Sequence, residues 1–407
     1  MQLRTYDAER DRDAVIRIWR EVGWISSTEG EKGLETFLSA GRAYVAEMSG
    51  SAECMVNTCE GQLRYFDQDI PLSCITGVTT SHVAKKQQFA SRLLAHALRE
   101  AAEEGAEAAA LGIFDQGFYD RLGFGTGAYE HWCTFDPAQL QVPLTPRPPA
   151  RFTREDCSRI HANRLSRHRV HGTISVVPEE MTQAEMIWSD HGLGLGYTDE
   201  TGALTHHVWL SSKDPEGGPF RVNWLAFRTA EQLLELLGLI RNLGDQATAV
   251  RMQEVAGIQL QDLLVKPFRN RRLTRQGKNQ QTMSATAYVQ YRMLDLASCI
   301  RRMCIEAPIS FHLVLEDPIV AYLEEGGGWS GIGGEYTIRL DRFSTLEAGL
   351  TDGLPTLRAS VGAFSRLWLG VLPASKLAWT DRLDGPESLL EALDEIRLPK
   401  PTSDWEF

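Results

Sequence analysis

Two strand-like patterns flank a helix-like pattern between residues 74 and 113. Residues 74–80 are β-branched and apolar, as in a strand, and Gly77 within them predicts a β-bulge or a close approach of another segment. Apolar residues then recur at helical spacing from Phe89 up to Gly105, which predicts the helix end. Residues 108–113 read as a further strand. The order strand, turn, helix, strand predicts an α/β unit.

A similar order of patterns returns later in the chain. The predicted strand, strand, helix and strand are residues 203–211, 220–227, 230–243 and 247–252. Here Thr229 is the expected N-cap and Gln232 completes a capping box, so the turn leaves no room for a phosphate cradle. We expect a second α/β unit without a cofactor site; an unrelated α/β domain is the alternative.

Two polar or proline-rich stretches divide the chain. Four prolines between residues 142 and 149 stiffen one of them, and residues 275–284 form the other. We therefore expect domains at residues 1–141, 150–283 and 284–407. The third combines short helices with alternating strands near residues 309–317 and 335–340, which predicts a small α+β layer.

Charge and hydropathy narrow the class of partner. A formal net charge of −12 argues against a nucleic-acid partner and favours cationic small substrates, although solubility alone would also explain it. The basic run at residues 266–278 is interpreted as a solvated linker, with a phosphate or RNA patch as the alternative. No apolar run approaches the length of a membrane span, so we expect no membrane partner and a cytoplasmic location.

Histidines and arginines alternate between residues 161 and 171. His161, His168 and His171 lie among three arginines, a setting too cationic to recruit a metal ion. We expect a solvated helix face there and no metal site.

Two short motifs carry a family resemblance. Backbone N–H groups at a helix start can hold a pyrophosphate. The turn Lys85-Lys86-Gln87-Gln88-Phe89-Ala90 resembles motif A of the GCN5-related N-acetyltransferases, which reads Arg or Gln, two free positions, Gly, one free position, then Gly or Ala. Gln88 stands where that family has glycine. Residues 117–124, Gly-Phe-Tyr-Asp-Arg-Leu-Gly-Phe, resemble the family's motif B.

The order of the three predicted domains extends the resemblance to the whole chain. Two acetyltransferase-like halves followed by a domain similar to sterol-carrier proteins is the order of the enhanced intracellular survival family. The last residues, Trp405-Glu406-Phe407, match that family's acidic residue followed by a terminal aromatic residue. The resemblance implies an α/β (α+β) fold with two tandem domains built on mixed sheets and a third α+β domain that supplies a C-terminal carboxylate. It also implies a homo-oligomer, with the hexamer as the family's form.

The same resemblance implies a reaction and a set of site residues. The reaction is acetyl transfer from acetyl-CoA to a primary amine of a cationic small molecule or a lysine side chain. Tyr119 would protonate the leaving thiolate, and the α-carboxylate of Phe407 would take the proton of the amine. Glu406 would face the cationic acceptor, and Trp24 would form part of the pocket wall. The implied cofactor-binding residues are Val78, Thr79, Thr80, Lys85, Lys86, Gln87, Gln88, Phe89, Ala90 and Ser91.

Several alternatives stay open at this point. Tyr119 and Trp24 would also fit as core aromatic residues. Because Gln88 replaces a glycine, the chain could be a non-catalytic acetyltransferase-like binding protein with an impaired coenzyme A site. Lipid carriage by the third domain is a further alternative, and it requires an apolar tunnel.

Overall fold

A computed structural model describes residues 2–113, 117–265, 281–306, 308–324 and 326–407. The basic run at residues 266–278 lies outside these ranges. Within them, every helix is too short or too polar to cross a membrane.

The described residues form twenty strands. In chain order they are β1 (Gln2–Thr5), β2 (Arg42–Met48), β3 (Ser51–Tyr65), β4 (Gln68–Thr80), β5 (Ala108–Gly112), β6 (Gly125–Thr126), β7 (Glu130–Phe135), β8 (Ala150–Phe152), β9 (Ile174–Val176), β10 (Leu193–Thr198), β11 (Leu204–Ser211), β12 (Phe220–Ala226), β13 (Val250–Gln253), β14 (Thr282–Thr286), β15 (Val289–Met293), β16 (Ile309–Glu316), β17 (Gly334–Leu340), β18 (Thr345–Ala348), β19 (Thr356–Ser360) and β20 (Leu383–Asp384).

The helices cover the faces of these strands. They are α1 (Ala8–Glu21), α2 (Thr28–Ser39), α3 (Phe89–Glu103), α4 (Cys157–Leu165), α5 (Glu179–Trp188), α6 (Ala230–Asn242), α7 (Leu296–Arg301), α8 (Val361–Trp368), α9 (Ala374–Thr380) and α10 (Glu387–Asp394).

Three mixed sheets organise the described residues. The first has the order β1-β2-β3-β4-β5-β15-β6, with β9 also paired to β3. The second has the order β14-β7-β13-β12-β11-β10-β8, and the third the order β18-β17-β16-β19-β20. The α/β (α+β) fold class and the tandem arrangement of similar units are confirmed.

The first two sheets exchange strands. β7, which follows β6 in the chain, pairs with β13 in the second sheet, and β15 inserts between β5 and β6 in the first. β15 lies within the residues expected to form the third domain, but it is a strand of the first sheet. The chain therefore passes from the first sheet to the second between β6 and β7, and back to the first between β14 and β15.

The elements around the turn agree closely with the sequence patterns. The helix begins at Phe89 as predicted, and Gly105 adopts a positive φ of 96° directly after its end. In the second half, Thr229 accepts the backbone N–H of Gln232 at 3.3 Å, which confirms the N-cap. The side-chain oxygen of Gln232 accepts the N–H of Arg228, the residue before the N-cap, at 2.8 Å. The predicted capping box, in which this oxygen would accept the N–H of Thr229, does not form.

The prediction of a solvated face at residues 161–171 holds for His168, which is exposed, and is otherwise wrong. His161, Arg164, Arg167 and His171 are all buried. Each of them has partners inside the fold: the His161 ring bonds Thr182 at 2.9 Å, and the His171 ring bonds the carbonyl of Leu369 at 3.0 Å. A charged or polar side chain can be buried when its hydrogen bonds are satisfied, and the sequence pattern does not show such distant partners.

Candidate active site

The parallel strands β4 and β5 separate near the centre of the first sheet. The two strands pair only from Leu72 opposite Ala108 to Ile75 opposite Leu111, while β4 continues to Thr80. Beyond Ile75, the other edge of β4 remains paired with β3 up to Thr80. Among the described strands, none pairs with the edge of residues 76–80 that faces β5, so its backbone groups are available to a ligand.

A β-bulge marks the start of this open stretch. The register between β3 and β4 shifts so that Thr76 is the extra residue between Ile75 and Gly77, which confirms the bulge predicted there. Asn57 secures it by donating to the Thr76 hydroxyl at 2.9 Å. A β-carbon on Gly77 would lie 3.2 Å from the ring of Phe37, so a side chain there would press on that aromatic ring.

The turn from Lys85 to Gln88 keeps a glycine-like backbone without glycine. Lys86 and Gln88 have positive φ angles of 61° and 62°. Such a conformation costs a non-glycine residue roughly 1–2 kcal/mol. In turns, successive backbone N–H groups can form a concavity that suits an anion. The Gln88 side chain makes no capping bond to the helix, and the side chains of residues 85–88 are exposed. The first-turn N–H groups of α3 therefore have no cap from this residue.

Tyr119 is held in a short turn between two glycines. Its ring is buried and makes edge contacts with Phe118 and Phe124, at centroid distances of 4.9 and 6.2 Å. The next residue, Asp120, accepts the side-chain amide of Gln290 on β15 at 3.0 Å. The strand exchange thus fixes the Tyr119 turn against the first sheet.

The predicted site residues divide between the two faces of the first sheet. Tyr119 and Phe89 belong to one apolar cluster beside α3, and Val78 and Ala90 pack against it. Phe407 packs against the cluster on the opposite face. The gap between β4 and β5 is therefore the place where groups from both faces could meet.

An aromatic group covers the face opposite α3. Trp19 of α1 contacts Trp24 at 5.0 Å and Phe37 at 5.3 Å between ring centroids. Trp188 of α5 stacks on Trp19 at 5.9 Å, so the second half contributes to this wall. Trp24 is more than a third exposed, with a solvent-facing surface that a purely internal residue would not have. Sequence reasoning missed Trp188, because nothing in its local pattern relates it to residues more than a hundred positions earlier.

The end of the chain lies between the first two sheets. Glu406 forms an ion pair with Arg221 of β12, so a cationic acceptor would compete with this arginine for the carboxylate. Trp405 is buried, whereas Phe407 is partly exposed.

Glu130 is a buried carboxyl group that the sequence did not single out. Burial, followed by the nearby carboxylates of Glu406 and Asp404, raises its pKa to about 8, although a hydrogen bond from the Trp132 side chain opposes this shift. Tyr288, whose pKa burial raises to about 12, also feels the Glu406 and Glu130 charges. Within the described residues, no lysine, arginine or histidine forms an ion pair with Glu130. Its carboxyl group is therefore mostly protonated at neutral pH.

We expect Glu130 to make the folded protein less stable as the pH rises. Because the pKa of about 8 in the folded state exceeds the ordinary 4.5, the folded state retains a proton that the unfolded chain has released. The stability contribution is therefore lost progressively between pH 4.5 and 8, at up to about 1.4 kcal/mol per pH unit. Glu130→Gln should flatten this dependence, measured by urea unfolding at pH 5 and pH 8.5. Glu200→Gln, at an exposed turn, is the control; an equal slope in both variants would contradict the assignment.

The opening of β4, the left-handed turn before α3 and the Tyr119 turn all belong to the first sheet and its α3 face. Residues 3–127 match the family model of the acetyltransferase (GNAT) domain. The matched residues include the opening of β4, the turn at residues 85–88 and the Tyr119 turn, so this part of the chain is similar to a GNAT acetyltransferase domain. No curated protein sequence matches this chain.

Solved structures share the fold over the whole chain. A probable N-acyltransferase from Enterococcus faecalis V583 is 17% identical with a TM-score of 0.80, over 100% of this chain and 99% of that one. Eis1 from Mycobacterium abscessus is 14% identical with a TM-score of 0.77, over 100% of both chains. A GCN5-related N-acetyltransferase from Kribbella flavida is 16% identical with a TM-score of 0.75, over 100% of this chain and 98% of that one. At these identities the comparison shows that the whole chain shares their fold.

Proposed function

We propose that this protein transfers an acetyl group from acetyl-CoA to the primary amine of a cationic small molecule or of a lysine side chain. The unpaired edge of β4, which leads into a helix start with a glycine-like turn, is the observation that carries the proposal. Tyr119 supports it, because this residue packs in the same cluster as Phe89 at that helix start.

Acetyl-CoA would lie along the open edge and end at the helix start. The backbone of Val78, Thr79 and Thr80 would bond the pantetheine arm, as an added strand would. Residues 85–91 would surround the pyrophosphate, with Lys85 and Lys86 adding positive charge. Gln88 is compatible with this role because its backbone already has the left-handed conformation that a glycine would supply.

The chemistry requires two proton transfers. An alkylamine has a pKa near 10, so it must lose a proton before its nitrogen attacks the thioester carbonyl. The carboxylate of residue 407 would accept that proton. When the C–S bond breaks, Tyr119 would protonate the thiolate and later regain its proton from solvent. The opening between β4 and β5 would let the two groups act from opposite faces of the sheet.

The acceptor would enter on the face that carries the tryptophans. Trp24 and Trp188 offer aromatic surface to a cation, and Glu406 offers a carboxylate whose partner Arg221 is half-exposed and displaceable. The net charge of −12 would raise the local concentration of such a cation.

The remaining expectations concern the protein as a whole. Along the chain we propose domains near residues 1–141, 150–283 and 284–407, with β7 and β15 each lying in the sheet of another domain. We also propose a sterol-carrier-protein-like third domain, a cytoplasmic location and a homo-oligomer of the hexameric type. Light scattering coupled to size-exclusion chromatography would measure the oligomeric state.

The activity is tested by following thiol release from acetyl-CoA with a panel of diamines, polyamines and lysine peptides. At least one amine should give turnover. Deleting Phe407 should lower kcat about tenfold to a hundredfold, because the carboxylate moves by one residue. Phe407→Leu is the matched control, since it changes the side chain and keeps the carboxylate. No thiol release with any amine would instead support the non-catalytic binding protein.

A further inference from the structure

The second sheet contains a parallel pair in the same topological position as β4 and β5. β12 and β13 pair only through Phe220 opposite Val250 and Arg221 opposite Arg251. β12 then continues to Ala226 and β13 to Gln253. Each half of the molecule thus has a parallel pair that separates after a few residues, with a helix, α3 or α6, between its two strands.

The chain's own last residues lie at this second opening. The side-chain amide of Gln253 donates to the carbonyl of Ser403 at 2.5 Å, and the N–H of Thr402 bonds the carbonyl of His171 at 3.0 Å. A cavity of about 80 Å³ remains between these residues and the two strands. We call residues 402–407 the C-terminal segment.

Asp404 ties this segment to a buried arginine. Its two carboxylate oxygens accept two hydrogen bonds from Arg167, at 2.7 and 2.8 Å. Arg167 also donates to the carbonyls of Arg164 and Ile174, at 2.9 and 2.6 Å, so its guanidinium is held in place before it meets the carboxylate. A bidentate pair of this kind fixes both distance and orientation.

Trp405 is the second anchor. The guanidinium of Arg164 lies 3.7 Å from the Trp405 ring centroid and 4.0 Å from that of Trp224, so it is placed against both indoles. The Trp405 indole N–H donates to Glu185 at 2.9 Å. The residues that hold Asp404 and Trp405 in these contacts, Arg167, Arg164 and Glu185, all belong to the second half of the molecule.

We infer that the second half is a clamp that positions residues 406 and 407 for the acetyl transfer, with Arg167 and Arg164 as its positioning residues. The inference rests on the proposed function, in which the carboxylate of residue 407 takes the proton of the amine. An extended residue spans at most about 3.6 Å, so anchoring Trp405 confines residue 407 to within about 7 Å of it. The second half thus binds a segment of its own chain at the opening that corresponds to the proposed cofactor site of the first half.

Weakening the Arg167–Asp404 ion pair should lower the rate of turnover more than the affinity for the cofactor. Asp404→Asn keeps the size of the side chain and the backbone contacts of Arg167 but removes the charge. We expect kcat to fall about tenfold with the KM for acetyl-CoA unchanged, because misplaced catalytic groups act on the chemical step. Arg167→Met should have the larger effect, and Arg167→Lys should restore part of it. Arg159→Met, at an exposed ion pair with Asp156, is the control.

A second measurement needs no turnover. Carboxypeptidase A should release Phe407 from Asp404→Asn at least about tenfold faster than from the wild-type protein or Arg159→Met, since release follows opening of the segment. Unchanged release and unchanged kcat in both Asp404→Asn and Arg167→Met would overturn the clamp. Faster release from a protein that acetylates no amine would uphold the clamped segment but contradict its catalytic purpose and the proposed function.

Discussion

Replacing Tyr119 by phenylalanine should lower kcat for acetyl transfer by about 10²- to 10⁴-fold, the usual contribution of a general acid. The phenylalanine ring would keep the contacts with Phe118 and Phe124, so the turn should keep its shape. The variant would lose the hydroxyl that is proposed to protonate the leaving thiolate. Affinity for acetyl-CoA should therefore stay within about twofold of the wild-type value, because binding to the pyrophosphate does not use this hydroxyl.

The test compares steady-state kinetics of the variant with those of Tyr129→Phe. Tyr129 is largely exposed and lies a few residues beyond the same turn, so its hydroxyl should be dispensable. Wild-type turnover in the Tyr119 variant would show that this residue is a core aromatic without a chemical role.

A large loss of stability is expected from Arg292→Met. Arg292 on β15 and Asp317, which follows β16, form a fully buried ion pair at 2.6 Å. The same guanidinium donates to the carbonyl of Leu122 at the end of the Tyr119 turn. Without it, the partners of the Asp317 carboxylate among the described residues would be the N–H groups of Ile319 and Ile332, at 3.2 and 2.8 Å. Removing one partner of a buried pair typically costs about 3–5 kcal/mol.

Urea unfolding would measure this loss, with Arg382→Met as the control. Arg382 pairs with Glu316 on the surface, where such a pair contributes less than about 1 kcal/mol. Arg292→Met combined with Asp317→Leu should recover part of the loss, since no unpaired charge would remain. If Arg292→Met and Arg382→Met lowered the free energy of unfolding equally, the structural role of the buried pair would be refuted.

The local elements of the first half were predictable because their signals are local. Helical spacing and a following glycine mark the limits of α3, and a glycine inside a β-branched run marks the bulge at Thr76. Each of these depends on neighbours within a few positions.

The pairings between distant segments were not predictable. β15 inserts beside β5 although about 180 residues separate them, and no spacing rule relates two strands so far apart. Burial of Arg164 and Arg167 depends on Trp405 and Asp404 in the same way. An arginine that meets its partner only in the folded chain has the same sequence signal as an exposed one.

The open question at the turn was whether Gln88 excludes the cofactor. A sequence pattern records that glycine is missing, but it does not record whether the backbone has changed. Gln88 has a φ of 62°, a left-handed conformation that glycine adopts freely, and its exposed side chain lies outside the packed core. We therefore expect Gln88 to reduce stability slightly and to leave the backbone that is proposed to bind the pyrophosphate in a suitable conformation.

Calorimetric titration of the protein with acetyl-CoA tests the central claim most directly. The account predicts saturable binding at one site per chain, with Kd between about 1 µM and 1 mM, the range in which enzymes commonly bind their substrates. It also predicts that Lys85→Ala together with Lys86→Ala weakens this binding, since both charges lie at the pyrophosphate turn. Absence of any heat and of any thermal stabilisation at millimolar acetyl-CoA would contradict the account.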